Sequence, residues 1–536
     1  MPADFKTIQK KRNSEINRRL KTVSPMAVKK YLMQQGVFPE SQFLPSDYFS
    51  SKTLVDNISD FSQLGSKYLN PNGNFNPNGV DVNARPVTFS FPKSKYTFRS
   101  LSVPPIDNYL LVIDFIGLHW DDIRNLLLVD QTKTNVIPYS YPLFYDDSKR
   151  EKIAITNHGV MNDIDFKSLA HNYESIVFTD IKNFYASIYT HAIAWAADPA
   201  TRTNHSLGLW ANQLDLLVRR NNQNKTKGVL TGPHVSDIIS EIILSRVDKL
   251  FSARAKASGI DFAGLRYRDD YILMVKSSTQ APKLLTLLQQ VLEEFHLEVN
   301  EDKTSVVSDP YESDHKVWKI QTDALRNQIK DMKKVSAPKD YIVIENRRLS
   351  LILRQTVKLF REYQDKYIIN TILGELTDSE LPVRIESQTI EVKPHAKTKS
   401  ADYITIFNII ESLCTQLPST WPYASVFMGL CLESLIENAD KQAVNDIKNY
   451  IFKLIELNLE NENGFALIWL MYLVKRYNFV LPKALKDRYK AVYGNDWLMT
   501  SLIDLRKGRI EVFGKKYNFV KNTPEKKIGT LIKIFY

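Results

Sequence analysis

The sequence predicts an α+β domain, with helices on one face of an antiparallel sheet, followed by an all-helical domain of helical-repeat type. Two observations lead to this fold class. Between residues 175 and 299 the apolar patterns change in the order strand, helix, helix, hairpin, helix, strand. After residue 320 amphipathic helices joined by short polar turns take over, at 343–375, 401–417, 423–438, 441–459 and 464–477.

The chain is long enough for more than one domain. With 536 residues, 43% of them apolar, each of several domains can bury a core of its own. Residues 1–84 are predicted to form a basic helix over 5–35 and a loop-rich extension, because Asn, Gly and Pro crowd positions 70–83. We therefore expect this extension at 1–84, an α+β domain at 85–320 that opens on a hairpin, and a helical domain with a basic tail at 321–536.

Positive charge is concentrated at the two ends of the chain. Residues 1–31 and 506–536 each carry nine Lys or Arg against two Asp or Glu, while the whole chain has a net charge of +11. The body between them is therefore slightly acidic. Two basic ends are suited to bind a polyanion, as a partner or as a product. The alternative is that both ends are simply solvated and bind no partner.

Composition predicts a soluble protein of a reducing compartment, with no membrane partner. Apolar runs reach about nine residues, whereas about 18 are needed to cross a bilayer. The first residues lack the apolar core of a signal peptide. Cys414 and Cys431 are too few for a disulfide framework and fall in apolar helical stretches, so we expect them in the core.

The strongest local signal is the acidic pair Asp269-Asp270, which has an apolar run on each side. This setting predicts a tight hairpin with both carboxylates at its tip. Adjacent carboxylates repel each other, so a divalent cation is their natural partner. An acidic β-turn without a ligand is the alternative.

Asp180 strengthens the case for a metal site. It ends a second apolar strand, 175–179, and would meet Asp269 at one sheet edge if the two strands are neighbours. Three carboxylates there can hold two Mg²⁺ ions about 3.5–4 Å apart, the arrangement that serves phosphoryl transfer. A helix N-cap is the alternative role for Asp180.

Five segments, in order, resemble the conserved motifs of the reverse transcriptases. They are residues 96–104 (Tyr-Thr-Phe-Arg-Ser-Leu-Ser-Val-Pro) for the first fingers motif, 178–185 (Phe-Thr-Asp-Ile-Lys-Asn-Phe-Tyr) for motif A, 228–236 (Gly-Val-Leu-Thr-Gly-Pro-His-Val-Ser) for motif B, 267–270 (Tyr-Arg-Asp-Asp) for motif C and 297–304 (Leu-Glu-Val-Asn-Glu-Asp-Lys-Thr) for motif D. The resemblance covers about residues 85–310 and implies a fingers and palm domain.

The residues that follow motif A resemble one group within the reverse transcriptases. Residues 183–195 (Asn-Phe-Tyr-Ala-Ser-Ile-Tyr-Thr-His-Ala-Ile-Ala-Trp) are similar to those of the bacterial abortive-infection (Abi) and other defence-associated reverse transcriptases. That group pairs a polymerase with a C-terminal helical-repeat (HEAT-like) domain. The resemblance implies a bacterial cytoplasmic enzyme of antiphage defence, which makes DNA from dNTPs by a protein-primed, often template-independent route. It also implies a single-stranded DNA product attached to the protein, and a homo-oligomer, trimer or hexamer.

The resemblance assigns roles to individual residues. Asp180, Asp269 and Asp270 would bind two Mg²⁺ ions, for which Mn²⁺ can substitute, and Ile181 would add only a backbone carbonyl. Lys303 would protonate the leaving pyrophosphate. The expected nucleotide-binding residues are Lys95 and Arg99 at the triphosphate, Tyr185 as the gate against a ribose 2′-OH, and Gly232 and Ser236 in the pocket.

Two departures from the family pattern leave other functions open. Leu230 stands where motif B has proline, and no segment after residue 310 resembles a thumb that clamps a duplex. The alternatives are an RNA-templated reverse transcriptase that works with a non-coding RNA, and a non-catalytic nucleic-acid-binding toxin. Without a thumb the growing strand needs another anchor, and Tyr517 and Tyr536 in the basic tail are candidates for the priming hydroxyl.

A further expectation concerns assembly. The helical domain carries many large apolar side chains, which we expect to exceed one core and to form an oligomer interface. Examples are Trp421, Phe427, Trp469, Met471 and Tyr472.

Overall fold

A computed structural model describes most of the chain. It covers residues 4–35, 37–39, 43–56, 64–130, 132–144, 153–155, 161, 165–308, 317–336, 340–387, 400–504, 507, 509–513, 515–521 and 527–531. The chain divides into two compact units. The first unit comprises Met1–Pro39, Ser51–Pro86 and Ser102–His315, and the second comprises Glu40–Ser50, Val87–Leu101 and Lys316–Tyr536.

Helices dominate the described residues. In chain order they are α1 (Phe5–Thr22), α2 (Pro25–Gln35), α3 (Lys52–Asp56), α4 (Gly65–Tyr68), α5 (Ile106–Leu118), α6 (Trp120–Leu127), α7 (Lys167–Ala170), α8 (Phe184–Ser187), α9 (His191–Ala197), α10 (Trp210–Arg220), α11 (Val235–Ala257), α12 (Ala281–Glu293), α13 (Val317–Met332), α14 (Asn346–Tyr363), α15 (Lys366–Thr377), α16 (Ser400–Gln416), α17 (Trp421–Glu437), α18 (Lys441–Glu460), α19 (Gly464–Arg476), α20 (Lys483–Tyr493) and α21 (Trp497–Ser501).

Most strands are short. They are β1 (Val87–Pro92), β2 (Phe98–Val103), β3 (Val136–Pro138), β4 (Pro142–Phe144), β5 (Ile153–Ile155), β6 (Ser175–Asp180), β7 (Phe262–Tyr267), β8 (Asp270–Val275), β9 (Ser305–Val307), β10 (Lys334–Ser336), β11 (Tyr341–Glu345), β12 (Val383–Glu386), β13 (Arg509–Val512) and β14 (Lys515–Asn518).

The first unit is built on a five-stranded sheet in the order β3-β7-β8-β6-β9. The pairs β7–β8, β8–β6 and β6–β9 are antiparallel, as predicted, whereas β3 runs parallel to β7. The hairpin predicted over 263–275 is β7 and β8, and the strand predicted at 175–179 is β6. The strand expected at 297–299 is absent, because Val299 makes only an isolated bridge to Ile181, and β9 lies further along the chain.

Helices cover both faces of this sheet, whereas the sequence predicted one. Side chains alternate between faces along a strand, and Arg266 and Tyr271 hydrogen bond to acidic residues of α11 on one face. On the other face, strand residues form one apolar cluster with Phe5 and Ile8 of α1 and with Leu169 of α7. The basic N-terminal helix therefore carries an apolar stripe that belongs to the sheet's core.

Two sequence boundaries change in the structure. The basic helix expected over 5–35 is two helices, because Val23 adopts an extended conformation ahead of Pro25. The N-terminal segments, expected as an extension of the fingers, cluster with the sheet in the first unit. The β1–β2 hairpin falls mostly in the second unit, where Phe91 packs edge-on against Phe465 of α19 with ring centroids 5.0 Å apart.

The second unit is helical, as predicted, but it is not all-helical. It also holds the three-stranded sheet β10-β11-β12 and the hairpin β13-β14. Both cysteines are buried in its helices, as expected. The large apolar residues assigned to an oligomer interface are all core residues of this unit, at most 2% exposed: Trp421, Phe427, Trp469, Met471 and Tyr472. Across the described residues, no helix combines the length and apolar character needed to cross a membrane.

Candidate active site

The sheet brings the three predicted aspartates to one edge. Because β6 and β8 are antiparallel, the last residue of β6, Asp180, lies directly opposite the first residue of β8, Asp270. Asp269 is in the turn just before β8, and its carbonyl accepts a hydrogen bond from the N–H of Ile181 at 3.1 Å. Like charges directly across a strand pair destabilise a sheet. This edge therefore calls for a nearby positive charge.

Asp180 is the most enclosed of the three carboxylates, at 5% exposure. One carboxylate oxygen, Oδ2, forms an ion pair with the Lys303 ammonium. The other, Oδ1, is buried and has no hydrogen-bond partner among the described residues. A buried carboxylate oxygen without a donor is costly, so it points to a ligand of opposite charge.

Burial and the closeness of charged groups at this edge both shift the pKa values of Asp269 and Lys303. Burial raises the pKa of Asp269, and the negative charge of Asp180 raises it further. Burial alone would lower the pKa of Lys303, but its hydrogen bond to Asp180 and the charges of Asp270 and Asp269 raise it. Lys303 ends a short 3-10 helix, Glu301–Lys303, within the segment that resembles motif D.

These residues fit a divalent cation. The described part of the chain contains no three acidic, His or Cys side chains already spaced around one metal position. The unpartnered Oδ1 of Asp180, the cross-strand Asp270 and the adjoining Asp269 nevertheless offer oxygen donors of the kind Mg²⁺ prefers. Ile181, which is buried beside them, contributes no side-chain ligand.

Tyr185, the predicted gate, belongs to a cluster that the sequence did not reveal. Its hydroxyl donates to Asp237 Oδ1 of α11 at 2.7 Å, and His234 Nδ1 donates to Asp237 Oδ2 at 2.9 Å. The Arg268 guanidinium lies 3.7 Å from the same carboxylate. Asp237 thereby joins the segments that resemble motifs A, B and C.

The charge state of Asp237 follows from this cluster. Burial would raise its pKa, but Arg268 and the hydrogen bonds from His234 and Tyr185 outweigh burial and lower it to about 2. Burial and the Asp237 charge together raise the pKa of Tyr185 well above its usual value. A neutral hydroxyl therefore faces an ionised carboxylate, which is a strong hydrogen bond.

The loop before α11 requires glycine. Gly232 has φ +123°, and a Cβ there would come within 3.1 Å of the Ser102 carbonyl oxygen. The N–H of Ser102 in turn donates to the Thr231 carbonyl at 2.9 Å. Ser236 is buried, and its hydroxyl donates to the Leu230 carbonyl at 2.5 Å. Ser236 thus holds the loop, and Leu230 in the proline position of the motif does not open it.

A second buried network holds the turn that carries Asp269. The Arg266 guanidinium is fully buried, bonds both oxygens of Glu241 at 3.0 and 2.9 Å, and bonds Asp248 at 3.0 Å. It also donates to the Arg268 carbonyl at 3.3 Å. Arg268 has φ +53°, in the left-handed region that non-glycine residues rarely adopt. Arg266 therefore supports the strained residue next to Asp269.

A sequence signal for these missed residues exists. Asp237, Glu241 and Asp248 stand four and seven positions apart on α11, a spacing that places them on one helix face with apolar neighbours. Acidic residues on an apolar face need partners inside the protein. The spacing indicates burial, but it cannot say which cations complete the pairs.

The remaining predicted residues belong to the second unit or lie outside the described residues. Lys95 and Arg99, at the tip and in the second strand of the β1–β2 hairpin, are exposed and belong to the second unit. Tyr517 in β14 is 8% exposed and pairs in register with Ile510, so it is not on a free segment. Tyr536 lies outside the described residues.

The family comparison agrees with the motifs. Residues 123–337 match the family model described as reverse transcriptase (RNA-dependent DNA polymerase). This range includes Asp180, Tyr185, Asp237, Asp269 and Lys303. A comparison with curated protein sequences finds no match.

Two solved structures show weak similarity. One is telomerase from Candida albicans in complex with a TWJ fragment of telomeric RNA, at 14% identity, TM-score 0.28, and coverage of 65% of this chain and 66% of that one. The other is apo telomerase from Candida tropicalis, at 11% identity, TM-score 0.29, and coverage of 79% and 69%. The chain thus spans about two thirds of the length of these structures.

Proposed function

Because the chain contains a reverse transcriptase domain and is a nucleotidyltransferase, we propose that it is an antiphage DNA polymerase of the bacterial Abi group. The meeting of Asp180, Asp269 and Asp270 at the end of β6 and the start of β8 carries the polymerase part of the proposal. Clustered carboxylates repel a polyanion, so a protein that only binds nucleic acid gains nothing from them. The defence role rests on the resemblance around motif A.

The residues at this edge have different roles in the proposed reaction. Asp180 and Asp269, with Asp270 beside them, would hold Mg²⁺, or Mn²⁺ in its place. When bound, the metal lowers the pKa of a hydroxyl nucleophile and stabilises charge on the triphosphate. Lys303 forms an ion pair with Asp180 at this edge, and the resemblance to motif D supports it as the proposed donor of a proton to the leaving pyrophosphate.

Selection of dNTPs falls to Tyr185. The ring is partly buried and its hydroxyl is fixed on Asp237, so the side chain cannot swing aside for a 2′-OH. Gly232 and Ser236 shape the adjoining loop. Lys95 and Arg99 are proposed as triphosphate ligands on the resemblance and their exposed charge.

We propose further that synthesis starts on a tyrosine hydroxyl and needs no template. The hydroxyl oxygen attacks the α-phosphate of a dNTP, a P–O bond to the tyrosine forms, and pyrophosphate leaves. The resemblance supports this route. Burial of Tyr517 argues against that residue, and Tyr536 stays a candidate.

The test uses the purified full chain with Mg²⁺ and each labelled dNTP, without nucleic acid, on a denaturing protein gel. We expect label that migrates with the polypeptide and is released by protease. The matched control is Asp269→Asn, which should take up no label. Label that runs free of protein before protease treatment would rule out protein priming, and equal label in Asp269→Asn would rule out this active site.

The family that residues 123–337 match is one of RNA-dependent DNA polymerases, which favours a second candidate, an RNA-templated enzyme. The same assay separates the two. Incorporation that appears only when a primed RNA template is added, and that copies its sequence, supports the templated enzyme. Incorporation without any template supports the first proposal.

A further inference from the structure

We propose that α14 binds the phosphate backbone of single-stranded DNA through one row of exposed cations. The row, called the basic stripe below, consists of Arg347, Arg354, Lys358 and Arg361. The inference rests on the proposed function, because single-stranded DNA is the product that this function makes.

The spacing of the basic stripe sets its shape. Its members are seven, four and three positions apart along one helix. At 100° per residue, these spacings place all four side chains within an arc of about 60°, and at 1.5 Å per residue the stripe is about 21 Å long. All four residues are exposed. The stripe is therefore a straight, narrow line of positive charge.

The opposite side of α14 fixes this orientation. Its buried residues pack the helix against its neighbours α15 and α16, and they are Leu349, Ile352, Leu353, Thr356, Leu359 and Phe360. The core thus decides which face of α14 meets solvent. The basic stripe has no part in that packing, so its charge is free to vary without loss of the fold.

Nothing among the described acidic residues neutralises the stripe. None of its four cations forms an ion pair there, and the Arg361 guanidinium donates a long hydrogen bond to the amide oxygen of Gln416, at 3.4 Å. Elsewhere in the second unit an exposed Arg488 pairs with both Glu456 and Glu460. The one exposed acidic residue of α14, Glu362, lies in its last turn, at the border of the stripe.

This arrangement costs helix stability. Cations three and four positions apart, such as Arg354 and Lys358, repel each other by a few tenths of a kcal/mol. Arg347 stands in the first turn, next to the positive end of the helix dipole, where a cation is also unfavourable. A bound row of phosphates removes both penalties, which a solvated helix face would keep.

The neighbour of the stripe favours a single strand over a duplex. Leu351 is 59% exposed and lies one turn before Arg354 and two turns before Lys358, beside the cations. The planar guanidinium groups of Arg354 and Arg361 in the stripe can stack against unpaired bases, whereas the bases of a duplex are stacked inside the helix. The surface therefore offers phosphate contacts in a row, guanidinium planes for unpaired bases and one apolar contact beside them.

The test measures salt dependence of binding to a labelled oligo(dT) by fluorescence anisotropy, from about 50 to about 200 mM salt. The variant replaces all four stripe residues with alanine in the full chain. Each lost contact to a single strand reduces the slope of log K against log salt by about 0.7, so we expect a reduction of about 2 to 3. Affinity at the middle of the salt range should fall at least about tenfold.

The matched control removes four exposed lysines of the same unit that do not form a row along one helix face: Lys330, Lys441, Lys453 and Lys483. It changes the net charge equally and should keep the wild-type slope. Circular dichroism and melting temperature check that both variants fold. An unchanged slope in the stripe variant, or an equal reduction in the control, would overturn the proposal.

Competing ligands give further outcomes. Duplex DNA or an RNA of equal length could bind more tightly than oligo(dT) and lose that binding in the stripe variant. That result would overturn the assignment to single-stranded DNA. Binding only to anionic vesicles, if it depends on the stripe, would also overturn it. A chain that binds oligo(dT) through the stripe but incorporates no dNTP would refute the proposed function and keep this surface. If the chain incorporates dNTP but the stripe variant keeps the wild-type salt slope, the proposed function stands and this surface is refuted.

Discussion

Asp237 is the residue on which three chain segments depend. It accepts hydrogen bonds from Tyr185 and His234 and faces Arg268, all within one partly buried cluster. An ionised carboxylate held by two hydrogen bonds and an ion pair is rigid. It positions the gate ring on one side and the residue before Asp269 on the other.

Loss of this cluster at low pH is our first prediction. The folded-state pKa of Asp237, about 2, is below its ordinary value of 3.8, so its stabilisation is present above pH 4 and is lost as pH falls through 2. The shift corresponds to about 2 kcal/mol. We expect the difference in unfolding free energy between wild type and Asp237→Asn to shrink by that amount from pH 5 to pH 2, as measured by urea denaturation. A difference that stays constant with pH would contradict the assignment.

The metal site gives the second prediction. Asp180→Asn and Asp269→Asn should each lose the Mg²⁺-dependent rise in melting temperature and at least about 100-fold in dNTP incorporation, since each removes charge where charge develops. The control is Asp122→Asn, which takes one carboxylate from another adjacent acidic pair on the surface of α6. Retention of both properties by the two site variants would show that the edge is only an acidic turn.

The gate gives the third prediction. Tyr185→Val should reduce discrimination between dNTP and rNTP by about 10- to 200-fold, because the ring that meets the 2′-OH is gone. Tyr185→Phe keeps the ring and loses only the bond to Asp237, so its ratio should change much less. Both ratios come from single-nucleotide incorporation with each substrate. Equal ratios in wild type and Tyr185→Val would assign the ring to packing.

Among the elements, α11 and β7 are joined by a buried ion-pair network. Arg266 of β7 is enclosed by Glu241 and Asp248 of α11, and Tyr271 of β8 donates to Asp248 at 2.9 Å. Burial raises the pKa of Asp248, and Arg266 opposes that shift. The helix behind the active-site sheet is thus joined to the strands by charge as well as by apolar contact.

The fourth prediction concerns this joint. Arg266→Met should destabilise the first unit by about 3–5 kcal/mol, because it leaves two acidic residues buried without a partner. Arg266→Lys should recover little of this lost stability, since an ammonium cannot bond both oxygens of Glu241 in the way that a guanidinium does. Arg488→Met on exposed α20 is the control and should cost under about 1 kcal/mol. Urea denaturation measures all three, and equal costs for Arg266→Met and Arg488→Met would show that the buried network adds no stability.

At the scale of the whole molecule, the chain forms two units, and residues 40–50 and 87–101 leave the first unit to join the second. Both segments are short, and the core of the second unit receives them through side chains such as Phe91 and Asp47, which accepts from Tyr472 at 2.8 Å. The chain therefore passes between the units more than once, so the units do not correspond to two continuous halves of the sequence.

The fifth prediction is assembly. Burial of the large apolar residues within the second unit removes the sequence argument for an oligomer interface, and the resemblance to the Abi group alone now supports one. We expect a trimer or hexamer, with three or six times the chain mass of 61.8 kDa, in sedimentation velocity experiments. A single species at the chain mass across the micromolar range would exclude it.

The sequence by itself determined the local structure of the active site. Apolar runs around Asp180 and Asp269 predicted β6, β7 and β8, because a strand buried on both faces needs apolar side chains throughout. The order of the motif-like segments predicted the reverse transcriptase domain that residues 123–337 match. Apolar periodicity also placed α16 to α19 to within about two residues, whereas the helix predicted over 343–375 is two helices, α14 and α15.

Only the tertiary structure decided which distant groups meet. The apolar stripe of α1 gave no sign of which surface it covers, and packing placed it on the sheet's second face. Asp237 and Arg268 are 31 positions apart, and no local pattern pairs them. A buried charge must find its partner inside the fold, and the choice depends on how elements pack, whereas periodicity reports only that a face is buried.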